Sequence, residues 1–193
     1  MRSQRQPRMI VIVRCVLLLL VLAGCGGQVT GPVPEPPASG TGRSTPFGLT
    51  ERAFVELAIA TDEQAVKLLD VGARQAMQPA LKQLANDIGA ARRAEVVELH
   101  GLLTAAALEY VNNHKGHDMP GMPTDEEISA LEASGPGFDA LFAKLLRAHL
   151  DESITVVRSA AQAVSDEPTK ALARRMETDR IGFTQRLGAV VPV

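Results

Sequence analysis

The sequence predicts an all-α protein: an antiparallel four-helix bundle, ferritin-like in arrangement, built from two repeated helical hairpins with a short connector helix between them. Three observations predict it. Beyond residue 48 the chain is dominated by Ala, Leu, Glu and Arg, and the full 193 residues hold no Trp and a single Tyr, a helix-forming composition. Apolar residues recur there at three- and four-residue steps in four long stretches, the periodicity of helices with one buried face. Residues 54–99 also align without a gap with residues 142–187, giving nine identities in forty-six positions, among them Phe54 with Phe142, Leu57 with Leu145, Leu84-Ala85 with Leu172-Ala173 and Leu99 with Leu187. In an Ala/Leu-rich chain identities alone say little. Both helix starts and both apolar stripes coincide at the same offset of 88, however, and a duplicated hairpin packs most simply as a bundle with pseudo-twofold symmetry.

The elements follow in chain order. Residues 1–14 carry Arg2, Arg5, Arg8 and Arg14 with no acid, and "CVLLLLVLAGCGG" follows at 15–27. A basic start, a short apolar run and small residues before a cut site make a secretory signal peptide, and the apolar run is short for a membrane span. The run ends in Leu22-Ala23-Gly24-Cys25, which resembles a bacterial lipobox. That resemblance implies removal of residues 1–24, a thioether diacylglycerol on Cys25 and acylation of the new amino terminus. Two or three acyl chains hold a protein stably on a membrane where one holds it marginally, so Cys25 is expected to be an anchor and the protein to sit lipid-anchored on the cell membrane, facing the extracytoplasmic side. Cys15 leaves with the signal peptide, and the exported domain keeps no thiol for a disulfide.

Residues 25–48 then read as lipid anchor and tether, since "GGQVTGPVPEPPASGTGRSTPFG" holds almost no large apolar residue and such a segment cannot bury enough surface to order itself. Residues 49–191 form the bundle domain. Thr50 is the expected N-cap of the first helix, whose stripe is Phe54, Leu57, Thr61, Ala65 and Leu68. Gly72 and "QAMQP" end it. Pro79 sits where a first-turn proline is tolerated, and Leu81, Leu84, Ile88, Ala91, Glu95, Leu99 and Leu102 mark the second helix. Thr124 and Glu127 make a capping-box pattern for a short helix. Phe138, Phe142, Leu145, His149, Ser153 and Val156 mark the third long helix, and Pro168 precedes a fourth with Leu172, Met176, Phe183 and Leu187.

Two features carry candidate chemistry. The connector "NHKGHDMPGMP" at 113–123 places His114 and His117 beside Met119 and Met122; imidazole with thioether is the donor set of a copper site, and Gly and Pro at this density also suit any long linker. Glu95 and His149 interrupt otherwise apolar stripes. A carboxylate removed from water needs a partner or gives up its charge, so either Glu95 accepts from His149 or from Arg92 one turn away, or both residues converge with Asp62 on a metal ion. A di-iron centre is not expected, because no Glu-x-x-His occurs and such sites require it on two helices. Zinc-protease, nucleophile-elbow and phosphate-loop motifs are absent too, and the sequence predicts no enzyme. A formal net charge of −2 without a basic stripe argues against nucleic acid as a partner.

The segment "DMPGMPTDEEISALEASGPGFDALFAKLL" at 118–146, with His149 just beyond it, resembles the exported domain-of-unknown-function 305 (DUF305) family, a duplicated ferritin-like bundle; the resemblance spans roughly residues 50–191. It implies a His-His pair on the first helix of each repeat, a Gln-x-x-Glu pattern on the second, a Met-Pro-Gly-Met junction between the halves, and metal binding as the suspected use of the His and Glu residues. Carried over by position, the His-His pairs fall on Thr61-Asp62 and His149-Leu150, and the Gln-x-x-Glu patterns on Arg92-x-x-Glu95 and Arg180-x-x-Phe183. One histidine of four and one glutamate of two survive. The functional expectation is a membrane-anchored extracytoplasmic lipoprotein with a binding or envelope-associated role. The alternative is a lipoprotein that binds or sequesters copper; the cofactor itself is left open.

Overall fold

The computed structural model describes residues 47–191; the signal peptide, Cys25 and the tether as far as residue 46 lie outside the described residues. Five α-helices follow one another: α1 (Leu49–Gln75), α2 (Pro79–Ala105), α3 (Asp125–Glu132), α4 (Phe138–Ala163) and α5 (Glu167–Val190). There is no strand among the described residues. The helices α1 and α2 form one hairpin and α4 and α5 the other, with α1 also packed on α4 and α2 on α5. The neighbours run antiparallel: Gly72 near the end of α1 lies under the Phe142 ring at the start of α4, and the ion pairs Glu98 with Arg175 and Asp87 with Arg186 join α2 to α5 in reversed order.

Periodicity explains the helices, and local chemistry explains their ends. Thr50 is not the cap of α1: Gly48 is, in extended backbone, and the Glu51 carboxylate accepts from the Gly48 N–H at 3.0 Å. A carboxylate in the first turn can serve N–H groups that a threonine already inside the helix cannot reach. Pro79 opens α2 as expected. Thr124 and Glu127 close the capping box of α3, the Thr124 hydroxyl accepting from Glu127 N at 3.1 Å and Glu127 Oε2 from Thr124 N at 3.0 Å. Asp166 caps α5 by accepting from Thr169 N at 2.9 Å, which starts that helix at Glu167 and places Pro168 inside its first turn.

Two acids at the repeat offset clasp the halves together. Glu51 Oε1 accepts from Ser165 N at 2.6 Å and from Asp166 N at 3.2 Å in the α4–α5 turn. Asp139 accepts from Met77 N at 2.8 Å and from Gln78 N at 2.9 Å in the α1–α2 turn. Each of these residues has its counterpart 88 positions along the chain, so each half holds the hairpin turn of the other.

Apolar residues gather in two clusters, one at each end of the bundle. One contains Ala65, Leu68, Leu84, Ile88, Phe142 and Leu187; the other contains Phe54, Ile59, Leu99, Val157, Leu172 and Met176. Each of the four long helices runs from one cluster to the other. A buried Leu or Phe contributes roughly 1.5–3 kcal/mol, and the two clusters together offset a layer of charge at the waist between them.

Candidate functional site

The waist layer consists of Asp62 from α1, Arg92 and Glu95 from α2, His149 from α4 and Arg180 from α5, exposed by 0%, 0%, 6%, 1% and 1%. The helical register sets it. Thr61, which the apolar stripe favoured, is half-buried, and Asp62 takes the inward position. Arg92 Nη1 donates to Glu95 Oε1 at 3.2 Å and to Oε2 at 3.0 Å, so of the two partners open to Glu95 it is Arg92, one turn away, that serves. Arg92 Nε lies 3.3 Å from Asp62 Oδ1. Arg180 Nη2 donates to Asp62 Oδ1 at 3.0 Å and lies 3.1 Å from Glu95 Oε2.

His149 completes the layer as a neutral ring. Its Nδ1 donates to the Gly121 carbonyl oxygen at 3.1 Å, and its Nε2 accepts from Arg92 Nε at 3.4 Å; those two bonds define one tautomer. Burial, followed by the nearby Arg92 and Arg180 charges, holds the imidazole well below its ordinary range. Burial also raises the Glu95 carboxyl, which Arg92 and Arg180 pull back only in part. Two guanidinium groups thus stand against two carboxylates. Donors nevertheless exceed acceptors: Arg92 Nη2 and Arg180 Nε and Nη1 are buried without a hydrogen-bond partner among the described residues.

The connector divides its four candidate ligands. His114, His117 and Met122 line a cavity of about 570 Å³ together with Glu63, Asp118 and Tyr110. Met119 faces elsewhere, lining a smaller cavity of about 70 Å³ over His149 and Arg180. Both methionines border a third cavity against Leu145 and Ala148, where a turn links Met122 N to Met119 O at 3.1 Å. Gly121 anchors the connector on α4. Its φ of +70° is open to glycine, and a Cβ there would meet the Glu152 side chain and the Ala148 carbonyl oxygen, so the backbone approaches closely enough for His149 to reach Gly121 O.

The model of the family described as domain of unknown function (DUF305) matches residues 51–189 of this chain. The chain belongs to the DUF305 family. Its fold is similar to a crystal structure of a DUF305 fragment from Deinococcus radiodurans, at 18% identity over 75% of this chain and 97% of that one, with a TM-score of 0.67. It is similar as well to a DUF305 protein of Streptomyces coelicolor, described as a candidate secreted protein, at 20% identity over 72% of this chain and 89% of that one, with a TM-score of 0.66. At these identities the likeness establishes the fold. No curated protein matches.

Within this DUF305 chain Asp62, Glu95 and His149, for which the sequence left open either a structural cluster or a shared metal ion, do converge, and they do so on Arg92 and Arg180. The carboxylates already face two cations and both ring nitrogens of His149 are engaged, so the waist residues do not fit a resident metal ion. Among the described residues no group of three or more His, Cys, Asp or Glu side chains is arranged to hold one. Arg180 is the site residue that sequence reasoning missed. The signal was present: Arg92 and Arg180 are an identical pair at the repeat offset, and one had already been placed beside Glu95.

Proposed function

We propose that this DUF305 protein is an extracytoplasmic lipoprotein, held on the membrane through lipid on Cys25, whose helical bundle acts as a binding or envelope-associated domain and not as an enzyme. The observation that carries the reading of the domain is the charge layer at its waist. The titratable groups buried at the centre are engaged with one another, and His149, whose ring nitrogens both hold partners, offers no free base to a substrate. The lipobox-like Leu22-Ala23-Gly24-Cys25 supports the anchor. The description of the Streptomyces relative supports export. No helix of the described residues is long and apolar enough to cross a membrane.

Metabolic labelling with a fatty acid, followed by membrane fractionation, tests the anchor. The native chain is expected to take up label and sediment with membranes, and Cys25→Ala to lose both. Label retained by Cys25→Ala sinks the proposal. A second reading, copper binding at the connector, is favoured by the shared cavity of His114, His117 and Met122. Stoichiometric copper in the purified protein, lost when Met119 and Met122 are both replaced by Leu, would put that reading first.

A further inference from the structure

We propose that His149 is a pH-operated latch on the connector: on protonation its ring leaves Arg92 and Gly121, turns into the neighbouring cavity between α1 and α4 beside Glu152, and releases the connector. The inference goes beyond the binding role and holds whatever the domain binds. In the structure the ring ties the connector to the waist, its Nδ1 donating to Gly121 O at 3.1 Å and its Nε2 accepting from Arg92 Nε at 3.4 Å. That arrangement serves a neutral ring. A second proton, on Nε2, would set donor against donor at Arg92.

The charges around the ring come from all the helices that meet at the waist. Arg92 on α2 and Arg180 on α5 face it, and burial together with those two charges holds the imidazole well below its ordinary 6.5. Asp62 on α1 and Glu95 on α2 do not compensate, because each is already engaged by both guanidinium groups. A proton taken up in place therefore meets two cations and no free carboxylate.

The cavity supplies what the waist denies. His149 lines it, and its volume is about 70 Å³; at roughly 15 Å³ per water-sized group, that is the room one imidazole ring takes. Its polar lining accepts where an imidazolium donates. The Thr61 and Ser153 hydroxyls give their own protons to Leu57 O and Leu150 O, which leaves their oxygens as acceptors. Glu152 is half-buried on the same cavity and has no hydrogen bond or ion pair among the described residues. It stands three residues beyond His149 on α4, and residues so spaced share a face, so a change of side-chain rotamer carries the ring toward it. Gly121 is then free. Met119 and Met122 on either side of it border the cavities over His149 and beside His114, so the shape of both follows the latch. The closed ring refuses the proton and the turned ring accepts it. The turned arrangement therefore gains as pH falls below 6.5, by up to about ten-fold per pH unit.

The test uses the full-length chain labelled with ¹⁵N, titrated in NMR spectra from about pH 7 to 5, with the His149 ring signals assigned through His149→Gln. Two amides are followed: Met122, whose N–H donates to Met119 O at 3.1 Å within the connector, and Met176, buried in the middle of α5. The His149 ring is expected to become an imidazolium while Met122 exchange, corrected for its intrinsic pH dependence, accelerates at least ten-fold at the same midpoint and Met176 stays protected. Glu152→Gln, which removes the waiting carboxylate, is expected to lower that midpoint by about 0.5 pH unit. Val156→Phe, which fills the cavity from α4, is expected to lower it as well. A Met122 amide that stays protected while the ring titrates overturns the latch. So does a ring that takes up its proton only when Met176 loses protection, since that is unfolding of the whole bundle. A midpoint unmoved in both variants overturns it too, because neither the carboxylate nor the cavity then receives the ring.

Discussion

The guanidinium groups of Arg92 and Arg180 meet on one oxygen of Glu95, Oε2, at 3.0 and 3.1 Å. The duplicated hairpin brings them there, since each stands at the same position of the second helix in its own half. The acids are not duplicated. Asp62 and Glu95 both come from the first half, and their counterparts at the repeat offset are Leu150 and Phe183. A pseudo-symmetric scaffold thus holds a charge layer neutralised from one side.

Removing one cation exposes that dependence. Arg180→Met leaves Asp62 and Glu95 with a single guanidinium between them, and breaking a buried pair in this way costs about 3–5 kcal/mol. Urea denaturation should report a loss of that size, and the melting temperature should fall by roughly 10 °C. Replacing Asp62, Arg92, Glu95 and Arg180 together by apolar residues of similar volume should recover most of the loss. A deficit under about 1 kcal/mol in the single variant would mean that water reaches the layer, because solvated charges lose little when a partner goes.

The neutral His149 makes stability depend on pH with a defined sign. Its folded value lies well below the ordinary 6.5, so between the two values the unfolded chain binds a proton that the folded chain refuses. Stability therefore rises with pH through that window and flattens above it, with a slope approaching about 1.4 kcal/mol per pH unit. Glu95 acts the other way. Its carboxyl is raised above 4.5, so the stability it contributes is present at low pH and lost as pH climbs through its folded value. Subtracting the pH profile of His149→Gln from that of the native protein isolates the histidine. The difference should move against the native protein as pH falls from about 7 to 5, and a flat difference would contradict the neutral ring.

Glu51 and Asp139 should behave as a matched pair. Replacing either with Ala removes the shared acceptor of two backbone N–H groups in the opposite hairpin turn, a loss of about 1–3 kcal/mol. Amide exchange should separate the two: Glu51→Ala speeds Ser165 and Asp166, while Asp139→Ala speeds Met77 and Gln78. Burial alone would raise the Glu51 carboxyl, but the N–H groups around it hold it below 4.5. Its contribution is therefore present above pH 4.5 and lost as pH falls through the lower folded value.

Gly121→Ala should loosen the connector selectively. The new Cβ has no room beside Glu152 and Ala148, and the φ of +70° adds strain of order 1–3 kcal/mol. The His149 bond to Gly121 O should break, seen as a changed imidazole Nδ1 signal in NMR spectra, while amide protection in the α1–α2 turn stays native. A connector as protected as in the native chain would refute the tight approach.

Much of the bundle was legible because helix periodicity is local. Phe54, Leu68, Leu84, Ile88, Phe142, Leu172 and Leu187 are buried as their spacing requires, and the Thr124–Glu127 capping box formed as written. Where reading failed, the missing partner was distant. Glu51 cannot be recognised as a clasp without Ser165, 114 residues away. Thr61 outranked Asp62 on the apolar stripe because an isolated aspartate reads as solvent-exposed; Arg180, 118 residues off, reverses that.

By itself the sequence determined the four long helices, their duplication, the connector and the family, because period, turn chemistry and repeat spacing act over a few residues or survive as identity along the chain. Only the tertiary structure decided what the polar residues at the waist do. Their charges are set by neighbours on three other helices and by exclusion of water, and neither is written in local pattern.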